Sequence, residues 1–329
     1  MPALSALLLL ALPLGVISAP HIVPPHHRRE SVQSRATYTL TDHYRGNDFL
    51  DWDFFSGPDP THGTVNYLTK SEAVSKGLAY VQSDNTTILA VDSKSKLSSG
   101  QNRDSVRISS PKSYTTGLFI ADFWTMPHGP TIWPAYWTVG PNWPNDGEID
   151  IIEGVGDSTT NQMTLHTSSG CSLDTNTKIL AAFTGEHTSS TTCASSGSDN
   201  NGCGITDSGS NAYGHEFNII AGGVMAHVVD SSGISIWRFP RNSIPEDITS
   251  GNPDPSSWGK PAALFSSATC NIGSHFKDHV LTINTALCGD WAGNAFPGGP
   301  SACASAVEDP SNYQTAKWEI NYISVYESS

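Results

Sequence analysis

The sequence predicts an all-β protein, and within that class a β-jelly-roll sandwich of two antiparallel sheets. Short runs of β-branched and aromatic residues alternate with turns rich in Gly, Pro, Asn and Asp. No long amphipathic helix and no internal repeat is present, and charged residues make up only 15% of the chain. At 329 residues, the chain is long for an immunoglobulin-type sandwich, so a jelly roll is favoured.

Strands are expected where apolar residues alternate or cluster between turn signals. The run Leu118–Met126 is typical, because Phe119, Ala121 and Phe123 would share one face. Residues 171–210 are expected to form a polar loop region with little core. The expected strands are Tyr38–Asp42, Phe49–Phe54, Val65–Leu68, Ala79–Gln82, Thr87–Val91, Val106–Ser109, Leu118–Met126, Trp133–Trp137, Glu148–Glu153, Met163–Thr167, Phe217–Ile220, Val224–Asp230, Ile234–Phe239, His279–Asn284 and Trp318–Val325.

The N-terminal residues resemble processing segments more than a folded domain. Residues 1–19 hold a short apolar run followed by small residues, which is typical of a signal peptide. Residues 20–35 are expected to be a pro-segment, cut after Arg29 or Arg35. We expect one domain, residues 36–329, in a secreted extracellular protein with no lipid anchor at its C-terminus.

The charge balance limits the choice of partner. Lys and Arg total 17 against 31 Asp and Glu, a formal net charge of −14. Nucleic acid is disfavoured because its phosphates require a basic surface, and an anionic polymer is disfavoured for the same reason. The apolar run in residues 1–19 is too short to span a membrane. We therefore expect a monomer that acts on a neutral polysaccharide.

Six cysteines in a secreted chain indicate disulfides, and the absence of a Cys-x-x-Cys spacing argues against a zinc site. Six cysteines allow fifteen connectivities. Pairing the nearest cysteines first gives Cys193–Cys203 and Cys288–Cys303, which leaves Cys171–Cys270. The sequon at Asn85 lies in an expected turn and predicts N-glycosylation.

The stretch Glu148–Glu153 carries three acids separated by isoleucines. Side chains alternate along a strand, so Glu148 and Asp150 share a face and Glu153 has the opposite parity. One extra residue, a β-bulge near Ile151 and Ile152, would return Glu153 to the acidic face. Without it, the carboxyl group would be buried among apolar side chains at a high cost in free energy.

Paired carboxylates on one surface are the groups that glycoside hydrolysis requires. One attacks the anomeric carbon, and the other, kept protonated, protonates the leaving oxygen. A third carboxylate between them can shift both pKa values through its charge and its hydrogen bonds. The alternatives are a solvated acidic strand or a calcium site.

Several other side chains suit a sugar-binding surface. Trp137 and Trp143 precede the acids, and Trp291 lies in a polar, glycine-rich loop, although any single Trp could pack in the core. His166 lies on the strand after the acids and could be structural. Arg107 could hold sugar hydroxyls with its planar guanidinium or form a surface ion pair.

Three segments resemble glycoside hydrolase family 16, and within it the fungal laminarinase-like endo-1,3(4)-β-glucanases. They are Trp133–Trp137, Trp143–Gly154 and Met163–Thr167. The resemblance extends from about Thr37 to Tyr326, and the E-x-D-x-x-E spacing matches the longer, bulged form of the family motif. It implies a jelly roll with a concave glycan-binding cleft and a retaining mechanism that passes through a covalent glycosyl-enzyme.

The resemblance also implies residue roles. Glu148 would be the nucleophile, ionised at working pH, Glu153 the protonated acid/base, and Asp150 the assisting carboxylate. No cofactor or metal is expected in the reaction, although a structural calcium ion elsewhere is compatible with the fold. The alternatives to a β-1,3 or mixed-linkage endoglucanase are a wall glucan transglycosylase and a non-catalytic glucan-binding sandwich. The implied substrate-binding residues are Trp137, Trp143, His166, Trp291, Arg107 and Asn66.

Overall fold

The computed structural model describes residues 37–197 and 199–328. The strands, in chain order, are β1 (Tyr38–Tyr44), β2 (Asp53–Phe54), β3 (Val65–Tyr67), β4 (Ala79–Val81), β5 (Thr87–Ala90), β6 (Arg103–Ser105), β7 (Arg107–Tyr114), β8 (Gly117–Thr125), β9 (Ile132–Val139), β10 (Glu148–Glu153), β11 (Asn161–His166), β12 (Glu186–His187), β13 (Cys203–Asp207), β14 (Gly223–Asp230), β15 (Gly233–Pro240), β16 (Ala263–Ser266), β17 (His279–Leu287) and β18 (Lys317–Ser328). The short helices are α1 (Lys70–Ser75), α2 (Thr177–Leu180), α3 (Gly214–Ile219), α4 (Glu246–Thr249), α5 (Ile272–His275) and α6 (Gly299–Ala306).

The strands form two large antiparallel sheets. The first has the order β16-β15-β14-β8-β18-β5-β4, and β1 also pairs with β18. The second has the order β12-β13-β11-β10-β9-β17-β7-β2, and β3 and β6 form a small parallel pair. Strands distant in sequence lie side by side, as in a jelly roll. The predicted fold class is confirmed.

The main core lies between the two sheets. Phe119, Ala121 and Phe123 of β8 are buried in it, as their alternation predicts. The Phe123 ring lies 5.3 Å from that of Tyr136 on the facing sheet and packs edge-on against it. Ile149 is buried in the same core, so its neighbours in sequence, Glu148 and Asp150, point to the outer face of the second sheet.

The prediction of a strand at Phe217–Ile220 is wrong, because these residues belong largely to helix α3. Phe217 is buried, whereas Ile219 is 62% exposed. A short apolar run cannot be assigned to strand or helix by periodicity alone. The chain enters α3 through Gly214, whose φ of +62° favours glycine.

Two other predictions were partly wrong. The first half of the expected strand Phe49–Phe54 lies in a 3-10 turn, and only its last two residues pair as β2. Phe49 and Trp52 are buried. The expected loop region 171–210 contains α2, β12 and β13, and it buries Leu173 and Phe183. Its polar composition obscured these elements, because strand pairing and disulfides stabilise them more than local apolar patterning does.

The structure contains the three predicted disulfides, Cys171–Cys270, Cys193–Cys203 and Cys288–Cys303. Asn85 is exposed in a turn with φ of +71°, and its glycosylation stays a prediction. The predicted signal peptide and pro-segment lie outside the described residues. Across residues 37–197 and 199–328, no helix has the length and apolarity needed to cross a bilayer.

Candidate active site

Strand β10 contains the predicted bulge. Its register against β9 shifts between Asp150 and Ile152, so Ile151 is an extra residue. Beyond the bulge, Glu153 pairs with Ala135. Because one residue is inserted, the last acid of the motif faces the same side of the sheet as the first two.

The side-chain amide of Asn161, on β11, stabilises the bulge. Its Oδ1 accepts a hydrogen bond from the backbone N–H of Glu153 at 3.0 Å, and its Nδ2 donates to the carbonyl of Ile151 at 2.9 Å. A bulge leaves backbone groups without ladder partners, and buried backbone groups need partners. Asn161 is 1% exposed and satisfies both, which holds Glu153 in place.

All three acids have raised pKa values, chiefly because burial penalises the charged form. The pKa of Glu153 is raised well above its usual range, and the Asp150 charge adds to the effect. A hydrogen bond between Glu148 and Asp150 raises the pKa of Glu148 further and lowers that of Asp150. Asp150 is 2% exposed, whereas Glu148 keeps part of its surface open to solvent.

A tryptophan and a tyrosine lie beside Glu153, and a second tryptophan packs against the first. Trp133 donates its indole N–H to Glu153 Oε1 at 2.8 Å, and the ring of Trp291 packs edge-on against Trp133 at 5.7 Å. Tyr213 is fully buried beside Gly154, where a Cβ atom would lie 2.8 Å from the tyrosine ring. The Glu153 charge adds to burial in raising the pKa of Tyr213.

His166 lies directly opposite Glu148 in the β10–β11 pair. Its Nε2 is 3.3 Å from Asp150 Oδ2, and its Nδ1 is 2.9 Å from Ser195 Oγ. The proximity of His166 lowers the pKa values of both Glu148 and Glu153, against the effect of burial. The predicted role of His166 in substrate binding stays a prediction.

Trp137 and Arg107 form a second group on the same face. The Arg107 guanidinium lies 4.9 Å from the ring centre of Trp137 and 4.8 Å from that of Phe55. Trp137 pairs with Asp150 across the β9–β10 ladder, and its indole N–H donates to Asn284 Oδ1 at 2.7 Å. Arg107 therefore stacks between aromatic rings, an arrangement that guanidinium groups favour.

Trp143 lies in the loop before β10 and is 37% exposed. A hydrogen bond from its side chain lowers the pKa of Glu148. The loop reaches β10 through Gly147, whose φ is +80° and whose Cβ atom, if present, would lie 2.3 Å from the His275 carbonyl. An exposed indole beside a carboxyl group provides a flat apolar surface next to a reactive group.

Asn66, another of the predicted substrate-binding residues, contacts strand β6. It is exposed on β3, and its Nδ2 donates to Asp104 Oδ1 at 2.6 Å. The adjacent Tyr67 points the other way and receives a hydrogen bond from Asn284 at 3.3 Å. A sugar-binding role for Asn66 stays a prediction.

One group of potential metal ligands overlaps the acids. Single ligand atoms of Glu148, Asp150 and His166 lie within 4.8 Å of one another. Calcium prefers six to eight oxygen ligands, and this set offers two carboxylates and an imidazole. The donor set therefore does not fit the alternative of a calcium site on the acidic strand.

Sequence reasoning gave no role to Asn161, Asn284 or Ser195, and it treated Trp133 only as one of the aromatic residues near the acids. Trp133 and Asn161 bind Glu153 directly. Asn284 and Ser195 bind Trp137 and His166, which lie beside the acids. Trp133 alone carried a signal, because it lies in the motif Trp133–Trp137 just before the acids. Asn284 and Ser195 contact residues distant in sequence, and Asn161 lies only eight residues after Glu153, where no local pattern marks it.

A jelly roll whose outer face carries three carboxyl groups beside tryptophans belongs to the glycoside hydrolase class of β-sandwiches. The chain is a member of glycoside hydrolase family 16: residues 52–326 match a family model described as "XgeA-like, catalytic GH16 domain". The predicted family resemblance is confirmed.

Curated relatives share about 40% of the sequence. An endo-1,3(4)-beta-glucanase of Arthroderma benhamiae is 43% identical over 305 residues, 89% of this chain and 65% of that protein. A probable glycosidase of Schizosaccharomyces pombe is 40% identical over 298 residues, 88% of this chain and 70% of that protein. A probable endo-1,3(4)-beta-glucanase of Aspergillus flavus is 42% identical over 309 residues, 90% of this chain and 45% of that protein. The chain thus spans about half to two thirds of their lengths.

Two solved structures are similar over their full length. An elongating family 16 beta-1,3-glucosyltransferase is 39% identical, with a TM-score of 0.83, and the match covers 88% of this chain and 100% of that one. Laminarinase 16A from Phanerochaete chrysosporium, with 6-O-glucosyl-laminaritriose in both donor and acceptor sites, is 40% identical with a TM-score of 0.82. That match covers 89% of this chain and 100% of that one.

Proposed function

We propose that the protein is a secreted, retaining endo-β-glucanase that hydrolyses β-1,3 or mixed-linkage β-1,3/1,4-glucans by double displacement. The observation that carries the proposal is the bulged strand β10, which places Glu148 and Glu153 on one face with Asp150 between them. Double displacement uses one carboxylate as a nucleophile and one carboxylic acid as a proton donor.

Glu148 is the proposed nucleophile. It keeps part of its surface open to solvent, so a sugar ring can approach it. Glu148 and Asp150 share a hydrogen bond. Two carboxylates this close repel each other, so the pair keeps one shared proton and carries a single negative charge. In the free protein the hydrogen bond favours that proton on Glu148, so the attacking form is the one in which the proton has moved to Asp150 and Glu148 is the carboxylate that reaches the anomeric carbon.

Glu153 is the proposed acid/base. Burial and the Asp150 charge raise its pKa well above the usual range. Glu153 therefore keeps its proton while the Glu148–Asp150 pair carries one negative charge. It protonates the leaving glycosidic oxygen as the Glu148 ester forms. Esterification removes the Glu148 charge that had raised the pKa of Glu153, so Glu153 can then accept a proton from water.

The proposed substrate is a neutral β-glucan. The chain carries a net charge of −14, which disfavours anionic polymers. The names of relatives at about 40% identity support a β-1,3 or mixed-linkage glucan, as does the laminaritriose-based ligand of a similar structure. Trp137, Trp143 and Trp291 would supply stacking surfaces for the sugar rings, and the proposed reaction uses no cofactor.

Extracellular location is part of the proposal. Three disulfides are stable in an oxidising compartment and rare in a reducing one. An extracellular compartment is also where an enzyme meets a polymer too large to enter a cell.

The test is a parallel digest of laminarin, barley mixed-linkage glucan and carboxymethylcellulose by wild type and Glu148→Gln, with products resolved by size. We expect wild type to shorten the first two polymers and the variant to leave them intact while keeping its fold. Laminarin that is bound but not cut by wild type would favour the glucan-binding alternative and contradict the proposal.

A second candidate is transglycosylation, in which the glycosyl-enzyme passes to a sugar instead of water. The observation that favours it is the likeness, at 39% identity, to an elongating beta-1,3-glucosyltransferase. Incubation with a short laminari-oligosaccharide separates the two activities. Products longer than the starting oligosaccharide indicate transfer, and shorter products alone indicate hydrolysis.

A further inference from the structure

The hydrogen bond from Trp133 to Glu153 joins a strand residue to the proposed acid/base. Trp133 lies on β9, beside the strand that carries the acids, and its Nε1 is 2.8 Å from Glu153 Oε1. The edge-on contact with Trp291, at 5.7 Å and 84°, supports the Trp133 ring from the loop after β17. The indole is therefore held on two sides, by an acid and by a second ring.

An indole N–H is a donor only, which limits how a protonated Glu153 can be arranged. Oε1 must be the acceptor of the indole hydrogen bond. The acidic proton therefore lies on Oε2, the oxygen that does not face Trp133. In a carboxyl group without such a donor, either oxygen can carry the proton.

We propose that Trp133 is a positioning residue for proton transfer: its N–H keeps the transferable proton on Glu153 Oε2 and stabilises the charge that the carboxyl group acquires when the proton leaves. The proposal rests on the function proposed above, because it requires Glu153 to be the acid/base.

The reaction step is balanced as follows. The proton on Oε2 moves to the glycosidic oxygen, whose bond to the anomeric carbon breaks with the electron pair remaining on oxygen. Glu148 forms the new bond to that carbon. Glu153 is left as a carboxylate, and its hydrogen bond from Trp133 becomes charge-assisted, a stronger interaction than the neutral one. Interactions that strengthen along the reaction lower its barrier.

Trp137 provides a matched control, four residues along the same strand. It lies on the same face, but its N–H donates to the Asn284 amide and not to a carboxyl group. Trp133→Phe and Trp137→Phe therefore each remove one indole from the same surface. Only the first removes a donor from Glu153.

The experiment compares both variants with wild type on two substrates across pH. Laminarin has a poor leaving group and needs the proton, whereas a dinitrophenyl β-laminaribioside has a leaving group that does not. We expect Trp133→Phe to lower kcat/KM on laminarin by about tenfold to a hundredfold, the range for a lost hydrogen bond to a charged group. On the aryl substrate we expect a loss below about threefold.

The pH profile gives a second readout. The Trp133 hydrogen bond lowers the pKa of Glu153, partly offsetting burial. Its removal should therefore move the alkaline limb of the laminarin profile to higher pH. Trp137→Phe should leave that limb in place and lose activity on both substrates alike. Equal losses on both substrates for Trp133→Phe, with the limb unmoved, would overturn the proposal and leave the proposed function standing.

A spectroscopic measurement on the wild type covers the case in which Trp133→Phe does not fold. The chain has 9 tryptophans, few enough to follow each indole N–H resonance by ¹⁵N NMR across pH. We expect one resonance to shift as Glu153 titrates and to stop shifting in Glu153→Gln. If no indole resonance differs between the two proteins, the proposed contact is wrong. This readout holds even if no glucan is cleaved, so it separates failure of the inference from failure of the function.

Discussion

The two ends of strand β10 carry the same side chain in different surroundings. At one end, Glu148 lies opposite His166, beside an exposed tryptophan loop, and keeps part of its surface open to solvent. At the other end, Glu153 is 9% exposed. Trp133 holds its carboxyl group and Asn161 holds its backbone N–H. One glutamate can be approached, and the other is fixed.

This difference assigns the two proposed roles more firmly than the residue type does. A nucleophile needs a path for the anomeric carbon, whereas an acid/base needs a fixed oxygen and a raised pKa. The bulge at Ile151 separates the two environments, because it brings Glu153 to the open face while the backbone beneath it stays clamped by Asn161.

The largest effect is expected when each glutamate is truncated and azide is offered in its place. Glu148→Ala and Glu153→Ala should each lose about two to four orders of magnitude in kcat on laminarin. With an activated aryl β-laminaribioside, azide should rescue Glu153→Ala, because the anion attacks the glycosyl-enzyme without a base. The product should be the β-azide, made by two inversions.

Glu148→Ala should give at most the α-azide, since azide then takes the nucleophile's place in a single displacement. Product stereochemistry can be read by NMR of the anomeric proton. A β-azide from Glu148→Ala, or an α-azide from Glu153→Ala, would reverse the assignment of the two ends.

The next effect concerns the clamp on the bulge. Asn161→Ala leaves the Ile151 carbonyl and the Glu153 N–H without their partner, and each unsatisfied buried group costs about 1–3 kcal/mol. We expect a lower free energy of unfolding, measured in guanidinium chloride. We also expect a loss of about tenfold or more in kcat at 25 °C, because the acid/base loses its fixed position.

The chain contains a matched control for this clamp. Asn218 holds the backbone N–H and carbonyl of Met126 with two hydrogen bonds of 2.9 Å, and this backbone lies outside strand β10. Asn218→Ala should lose stability and keep the kcat of wild type on the folded protein. If both variants lost only stability, the Asn161 clamp would support the fold without positioning Glu153.

The acidic strand could be predicted from sequence because strand geometry is local. The parity of Glu148, Asp150 and Glu153 follows from the two-residue period, and burial cost then required a bulge. The structure places that bulge at Ile151. The disulfides could also be predicted, since two of the three join cysteines separated by only 10 and 15 residues.

Contacts between distant segments could not be predicted in this way. Ser195 meets His166 across 29 residues, and Asn284 meets Trp137 across 147, so nothing in the local pattern identifies either pair. The short run Phe217–Ile220 failed for another reason, because its apolar residues fit a strand or one turn of helix equally well. The contact of Asn66 is of the same kind, since its amide meets Asp104, 38 residues along the chain.

The smallest effect concerns the acid between the two ends. Burial raises the folded-state pKa of Asp150, so the folded protein resists its ionisation while the unfolded chain ionises near pH 4. The stability that this carboxyl group contributes is full below that pH and is lost as the pH rises toward its folded-state pKa. Asp150→Asn removes the penalty, so its Tm should exceed that of wild type by a few degrees at pH 7.

The gain in Tm should vanish near pH 4, where both states of the wild type hold the proton. Asp207→Asn provides the contrast, because Asp207 is ion-paired with Arg238 at 2.6 Å and its loss leaves a guanidinium without its partner. That variant should melt below wild type at pH 7. Scanning calorimetry of the three proteins at both pH values decides the matter: if Asp150→Asn melts below wild type at pH 7, Asp150 stabilises the folded protein as an ordinary paired acid. The burial of Asp150 would then not lower the free energy of unfolding at pH 7.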